Sequence, residues 1–108
     1  MTSYDDVLEL TGKSGQKYVF FITFSSSTFF AKPGVYVLGK ALGNNRYSFC
    51  YVGHTADMSK RPFAPEKADC FRGFGVDRIF HLEEANAEKR AKMVLDLIQA
   101  YGPVCNTP

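Results

Sequence analysis

Residues 34–53 constrain this chain more than any other stretch. Two apolar runs, Val35–Leu38 and Phe49–Val52, flank the segment Leu42-Gly43-Asn44-Asn45-Arg46. Glycine and asparagine tolerate the positive φ of a tight reversal. The segment therefore reads as two antiparallel strands, Gly34–Lys40 and Tyr47–Gly53, joined by a turn. A pair of strands is not stable alone and needs further strands or helices to bury a face.

The flanks supply them. Val7–Thr11, a turn at Gly12-Lys13-Ser14-Gly15, and Tyr18–Phe24 read as an N-terminal hairpin. The second of those strands is β-branched and aromatic throughout, which predicts burial on both faces. After Gly53, Thr55 or Asp57 is placed to cap a short helix. Pro62 and Pro65 interrupt that helix. Glu66–Phe71 reads as a further helical turn, and Gly73 and Gly75 as loop. Val76–Leu82 alternates apolar and polar residues like a half-exposed strand.

A helix capped by Asn86 follows, with Ala91, Val94, Leu95 and Ile98 as its apolar stripe. Gly102-Pro103 stops it. Together these predict one α+β domain over residues 1–108, with a mainly antiparallel sheet flanked by helices. It divides into an N-terminal hairpin extension (1–30) and a core (33–106).

Composition narrows the function classes. The formal charge of +2 permits nucleic-acid binding without the concentrated basic face of a dedicated binder. No apolar run approaches the ~20 residues of a membrane span, and no signal-peptide pattern opens the chain. The three cysteines, Cys50, Cys70 and Cys105, are widely spaced and form no zinc pattern. They read as reduced thiols in a cytoplasmic protein, with Cys50 a buried small hydrophobe.

Gly34-Val35-Tyr36, a strand-length gap, Tyr51-Val52-Gly53, then Thr55 and Arg61, resemble the GIY-YIG nuclease domain. Asp96-Leu97-Ile98, Tyr101, Pro103 and Asn106 resemble the end of its small bacterial members. The resemblance implies a GIY-YIG-like fold and an endonuclease-like protein that binds nucleic acid, DNA rather than RNA. It implies Mg²⁺-dependent phosphodiester hydrolysis if active. Tyr36 would be the base for the attacking water, and Tyr51 would orient that water or the phosphate. Arg61 would offset transition-state charge, and His54 would contact phosphate or leaving group. Thr55, Lys60 and Arg72 would complete the nucleic-acid surface.

Two positions depart from the family. Val94 stands where its metal-ligating glutamate stands, and Pro65 where the related proteins carry a histidine. Valine cannot bind Mg²⁺, and Arg90, Ala91, Leu97 and Ile98 on the same helix face offer no carboxylate. Asp57, Glu66 or Asp69 would have to supply one from elsewhere. The alternative is a catalytically inactive module that binds nucleic acid, a protein partner or a second copy of itself.

Overall fold

The computed structural model describes residues 7–106. Residues 1–6, which belong to the extension read from the sequence, and residues 107–108 lie outside the described part. The domain is α+β, with a curled five-stranded antiparallel sheet and two helices, opening on a β-hairpin. In chain order the elements are β1 (Val7–Thr11), β2 (Lys17–Phe24), β3 (Gly34–Gly43), β4 (Arg46–Thr55), α1 (Ala68–Phe74), β5 (Arg78–Glu83) and α2 (Ala87–Tyr101). Short 3-10 turns at Pro65–Lys67 and Val104–Asn106 precede α1 and follow α2.

The sheet order is β1-β2-β5-β3-β4. Both hairpins expected from the sequence form. The β3–β4 reversal is a two-residue turn with Asn44 and Asn45 at φ 56° and 59°, the pairing that suits the twist of a hairpin. Between the hairpins lies β5, paired through Phe21↔His81 on one edge and Tyr36↔His81 on the other. It is thus a central strand rather than a half-exposed one, with Ile79 and Phe80 both buried.

Each face of the sheet has its own core. On one, α2 packs over Leu10, Tyr18, Phe20, Val35, Val37, Val52 and Phe80. On the other, α1 and the C-terminal turn cover Leu38, Cys50 and Ile79 beside Tyr36. The helices do not cover the β1–β2 half of this second face. Val19 and Phe21 there are therefore 49% and 50% exposed, and Phe24, at the end of β2 on the α2 side, is 62% exposed, which corrects the expectation that β2 is buried on both sides.

Three further expectations change. No helix follows Gly53. Residues 56–64 form turns instead, and helical structure begins at Pro65, with Gly73 inside α1 and Gly75 as its left-handed cap. The buried stripe of α2 is Arg90, Met93, Val94, Leu97 and Ile98, while Ala91 and Leu95 face solvent. Apolar residues surround much of this helix, and hydropathy alone does not mark a charged Arg90 as a core position. Finally, Cys70 and Cys105 are joined in a disulfide, and only Cys50 of the three is a free thiol. Closing a loop of this length contributes about 3–4 kcal/mol.

One polar latch ties the N-terminal hairpin to α2. The Asp96 carboxylate accepts from Ser14 N (2.8 Å), Ser14 Oγ (2.7 Å) and Tyr18 Oη (2.7 Å). The turn must approach closely, because a Cβ on Gly12 would lie 2.0 Å from that carboxylate. The Tyr18 hydroxyl first, then Ser14, holds the Asp96 carboxyl below its ordinary 3.8. Burial, with Asp96 beside it, pushes the Tyr18 phenol up to about 12.

A depressed carboxyl stabilises the fold above its ordinary pKa and loses that contribution as pH falls through the folded value. Thermal unfolding followed by circular dichroism should therefore show Asp96→Asn with a lower Tm than wild type at neutral pH. The gap should close as pH is lowered below 3.8. An unchanged gap in acid would mean that the latch does not depend on the carboxylate charge.

Candidate functional site

The site begins with an irregularity in β4. The β3–β4 register runs Leu38↔Tyr51 and then Gly39↔Phe49, so β4 carries one extra residue at Cys50. In a regular strand Phe49 and Tyr51 would share a face. Here Phe49 packs on the α2 side, while Tyr51 joins Tyr36 on the other. A bulge of this kind re-aims a side chain. Gly39 permits it, because a Cβ there would meet the Ser48 carbonyl oxygen at 2.3 Å.

The two phenol rings then lie stacked, with centroids 6.1 Å apart and planes inclined by 28°. Gly53 makes room for them. A Cβ at Gly53, which pairs with Tyr36 across the strands, would stand 2.6 Å from the Tyr36 hydroxyl and 2.9 Å from the Tyr51 ring. The edge of β4 is pinned by Asn106, whose side chain accepts from Val52 N (2.8 Å) and donates to Val52 O (2.9 Å). That amide substitutes for a neighbouring strand beside Tyr51.

A cleft of about 370 Å³ opens over the two rings. Thr55, Lys60 and His54 wall it from β4 and the loop that follows, and Pro62, Phe63, Ala64 and Glu66 close the far side. Thr55 shapes the loop. Its Oγ1 accepts from Asp57 N (3.2 Å), and Asp57 Oδ1 then accepts from Ser59 N (2.9 Å) and Ser59 Oγ (2.6 Å). These consecutive side-chain turns are what replaced the expected helix. They deliver Lys60, which is exposed, to the cleft rim.

The electrostatics favour protonated phenols. Burial pushes the Tyr36 phenol well above its usual range, and the neighbouring Tyr51 and Glu66 push it further. Burial and then Glu66 also raise Tyr51. Both hydroxyls are hydrogen-bond donors at neutral pH. Neither is a ready base.

Of the residues read from the sequence, Tyr36, Tyr51, His54, Thr55 and Lys60 meet in this cleft. Arg61 does not line it. Its guanidinium donates to Ser27 O and Ser25 O (2.9 Å each) and lies over the Phe63 ring at 4.7 Å. Phe63 in turn stacks on Tyr36 with centroids 4.2 Å apart. Arg61 thus stands behind a ring that the sequence did not single out. Arg72 is exposed on α1 and paired with Asp69.

Val94 packs into the α2-side core, on the opposite side of the sheet from the two tyrosines. One turn earlier on α2, Arg90 is 6% exposed. Its guanidinium donates from Nη1 to the Glu84 and Ala85 carbonyls (3.0 Å each) and from Nε to His54 Nδ1 (3.3 Å). An arginine cannot surrender that proton, so the contact favours neutral His54 with its hydrogen on Nε2. Burial first, then the Arg90 charge, lowers the His54 pKa from 6.5.

This donor set does not fit a resident Mg²⁺ site. Among the described residues Glu66 is the one carboxylate that lines the cleft, and the Arg90 guanidinium lies against His54. Among the described residues no group of three or more histidine, cysteine or acidic side chains is placed to hold a metal. Asp57 is committed to its turn, and Asp69 to Arg72.

No protein-family model, curated protein or solved structure matches this chain.

Two outcomes follow from this geometry. Gly53→Ala should lower unfolding stability in urea by about 1–3 kcal/mol, because its methyl overpacks the Tyr36 ring. In NMR titration, Arg90→Gln should raise the His54 pKa toward 6.5. With the pKa depressed, the unfolded chain takes up the proton first, so His54 subtracts stability as pH falls below that value. The variant should lessen this loss. An unmoved His54 titration would break the proposed contact.

Proposed function

We propose that this protein is a GIY-YIG-type domain that binds the phosphodiester backbone of a nucleic acid in the Tyr36–Tyr51 cleft, with a nuclease ancestry and no efficient hydrolysis of its own. The observation that carries the reading is the pair of protonated phenols beside an exposed lysine. Two neutral O–H donors and an ammonium suit the non-bridging oxygens of one phosphate, and such contacts position a backbone without reading sequence. The order Gly34-Val35-Tyr36, Tyr51-Val52-Gly53, Thr55 supports the family assignment.

The same features argue against turnover. Water attack on a phosphodiester needs a base and a means of offsetting charge on the phosphate. Tyr36 is shifted away from the phenolate, Arg61 is turned to the 25–29 loop, and Glu66 alone gives a divalent ion little purchase. Removing such terms costs several orders of magnitude in rate.

Fluorescence anisotropy with labelled DNA tests the binding. Affinity should fall with salt, and Lys60→Ala should reduce the slope of log K against log salt by about 0.7–0.9, the loss of one phosphate contact. Tyr36→Phe should weaken binding about tenfold, for one hydrogen bond to a charged group. In a plasmid-nicking assay with Mg²⁺ or Mn²⁺ the wild type should not cut. Nicking that disappears in Tyr36→Phe would instead establish a working nuclease.

A further inference from the structure

The two site tyrosines belong to a longer run of aromatic contacts across this face of the sheet. Tyr36 stacks on Phe63 at 4.2 Å, Phe63 meets Phe29 at 6.3 Å, Phe29 meets His81 at 4.8 Å edge-on, and His81 meets Phe21 at 5.6 Å. The sheet register explains the alignment. Phe21, His81 and Tyr36 are direct partners on β2, β5 and β3, so they lie in one cross-strand row on one face. At the Tyr36 end the run is buried under Phe63. At the other end it emerges into solvent at Phe21, which is 50% exposed; Phe30, outside the run, is 86% exposed.

Beside that open end is a second cavity, of about 250 Å³, lined by Phe29, Phe30, Lys32, His81 and Glu83 among others. The surroundings carry more positive than negative charge. Lys32 stands in the cavity wall, and Arg61 lies over Phe29 at 5.8 Å with its guanidinium bound by carbonyls. Glu83 is the opposing charge in the cavity wall. An exposed Phe30 that shares a cavity wall with Lys32, next to a Phe29 ring under a guanidinium, is costly to leave in water and matches a ligand with flat apolar faces on an anionic strand.

We infer that Phe21 and Phe30 form a base-stacking subsite that continues the phosphate cleft, making single-stranded nucleic acid the ligand of this face. The inference rests on the phosphate-binding reading and names its substrate class. Bases in a duplex already stack on one another and hide their faces, whereas a single strand can splay them onto side chains. The distance fits. Phe21 and Tyr36 are two strand spacings apart, about 10 Å, so one short single strand can reach both.

Anisotropy with three labelled probes of equal length tests the inference: oligothymidine, an abasic oligomer with the same phosphates, and a duplex. Wild type should bind oligothymidine about tenfold or more above the abasic strand, and above the duplex. Phe30→Ala alters an exposed side chain and should leave the circular-dichroism melt unchanged, and Phe21→Ala, whose ring also packs on His81, is compared well below its own melting temperature. Each should weaken oligothymidine binding about tenfold and leave abasic binding unchanged. Lys60→Ala should weaken both single strands alike.

If the abasic strand binds as well as oligothymidine, or the duplex binds best, the stacking subsite is refuted while the phosphate cleft stands. If no probe binds at low salt, both readings fall. Self-association seen by sedimentation and abolished by Phe30→Ala, with no nucleic-acid binding, would identify the face as a protein contact and overturn the proposal.

Discussion

The extra residue at Cys50 is the constraint on which the candidate site depends. A β-strand alternates its side chains, so a run such as Phe49-Cys50-Tyr51-Val52 would send Phe49 and Tyr51 the same way. One inserted residue lets Phe49 fill the α2-side core while Tyr51 turns to meet Tyr36. The absence of a side chain at Gly39 accommodates the insertion, and at Gly53 it leaves space for the rings. Asn106 then holds the bulged edge strand at Val52. The C-terminal turn that carries Asn106 is itself fastened to α1 through Cys70 and Cys105. Elements far apart in the chain thus serve one local task, the juxtaposition of two phenols.

What the phenols can do is governed by their surroundings more than by their identity. A phenol becomes a base only where its anion is stabilised, by a cation or by donors. Around Tyr36 the structure supplies the reverse: a stacked Phe63, a second tyrosine and the Glu66 carboxylate. The two arginines nearest the site are engaged elsewhere. Arg61 braces the 25–29 loop, and Arg90 fixes His54 and the residues before α2. Cationic charge is therefore structural on both flanks of the cleft, and Lys60 at the rim is the exposed basic side chain among its lining residues. Such an arrangement suits holding an anion better than transforming one.

Much of the fold was legible because its strands carry strong local signals. The β3–β4 hairpin announced itself through apolar runs around an asparagine turn, and the caps of α2, Asn86 and Gly102, were read correctly. The placement of β5 between the hairpins was not legible, since strand order is decided by which faces must be buried together. The stripe on α2 was misjudged because Arg90 buries a charged group with its own carbonyl partners, a compensation invisible in a hydropathy pattern. The tyrosines, Thr55 and Lys60 came to line one cleft. Arg61 did not, because the conformation of the 56–64 turns and the aromatic pull of Phe29 and Phe63 decide where its guanidinium rests. The disulfide was missed because thirty-five residues separate its cysteines and only the packing of α1 brings them together.

The position of β5 has a consequence for biosynthesis. The first four strands can leave the ribosome as two separate hairpins, yet neither has its full complement of hydrogen bonds until Arg78–Glu83 arrives to join them. Until then β2 and β3 each present an unpaired edge, and β2 carries exposed phenylalanines besides. Non-local pairing of this kind is slow and leaves the nascent chain open to aggregation. A ribosome stalled or a chain truncated before residue 83 would release two adhesive half-sheets instead of a domain, so the last third of the polypeptide decides whether the first half is soluble.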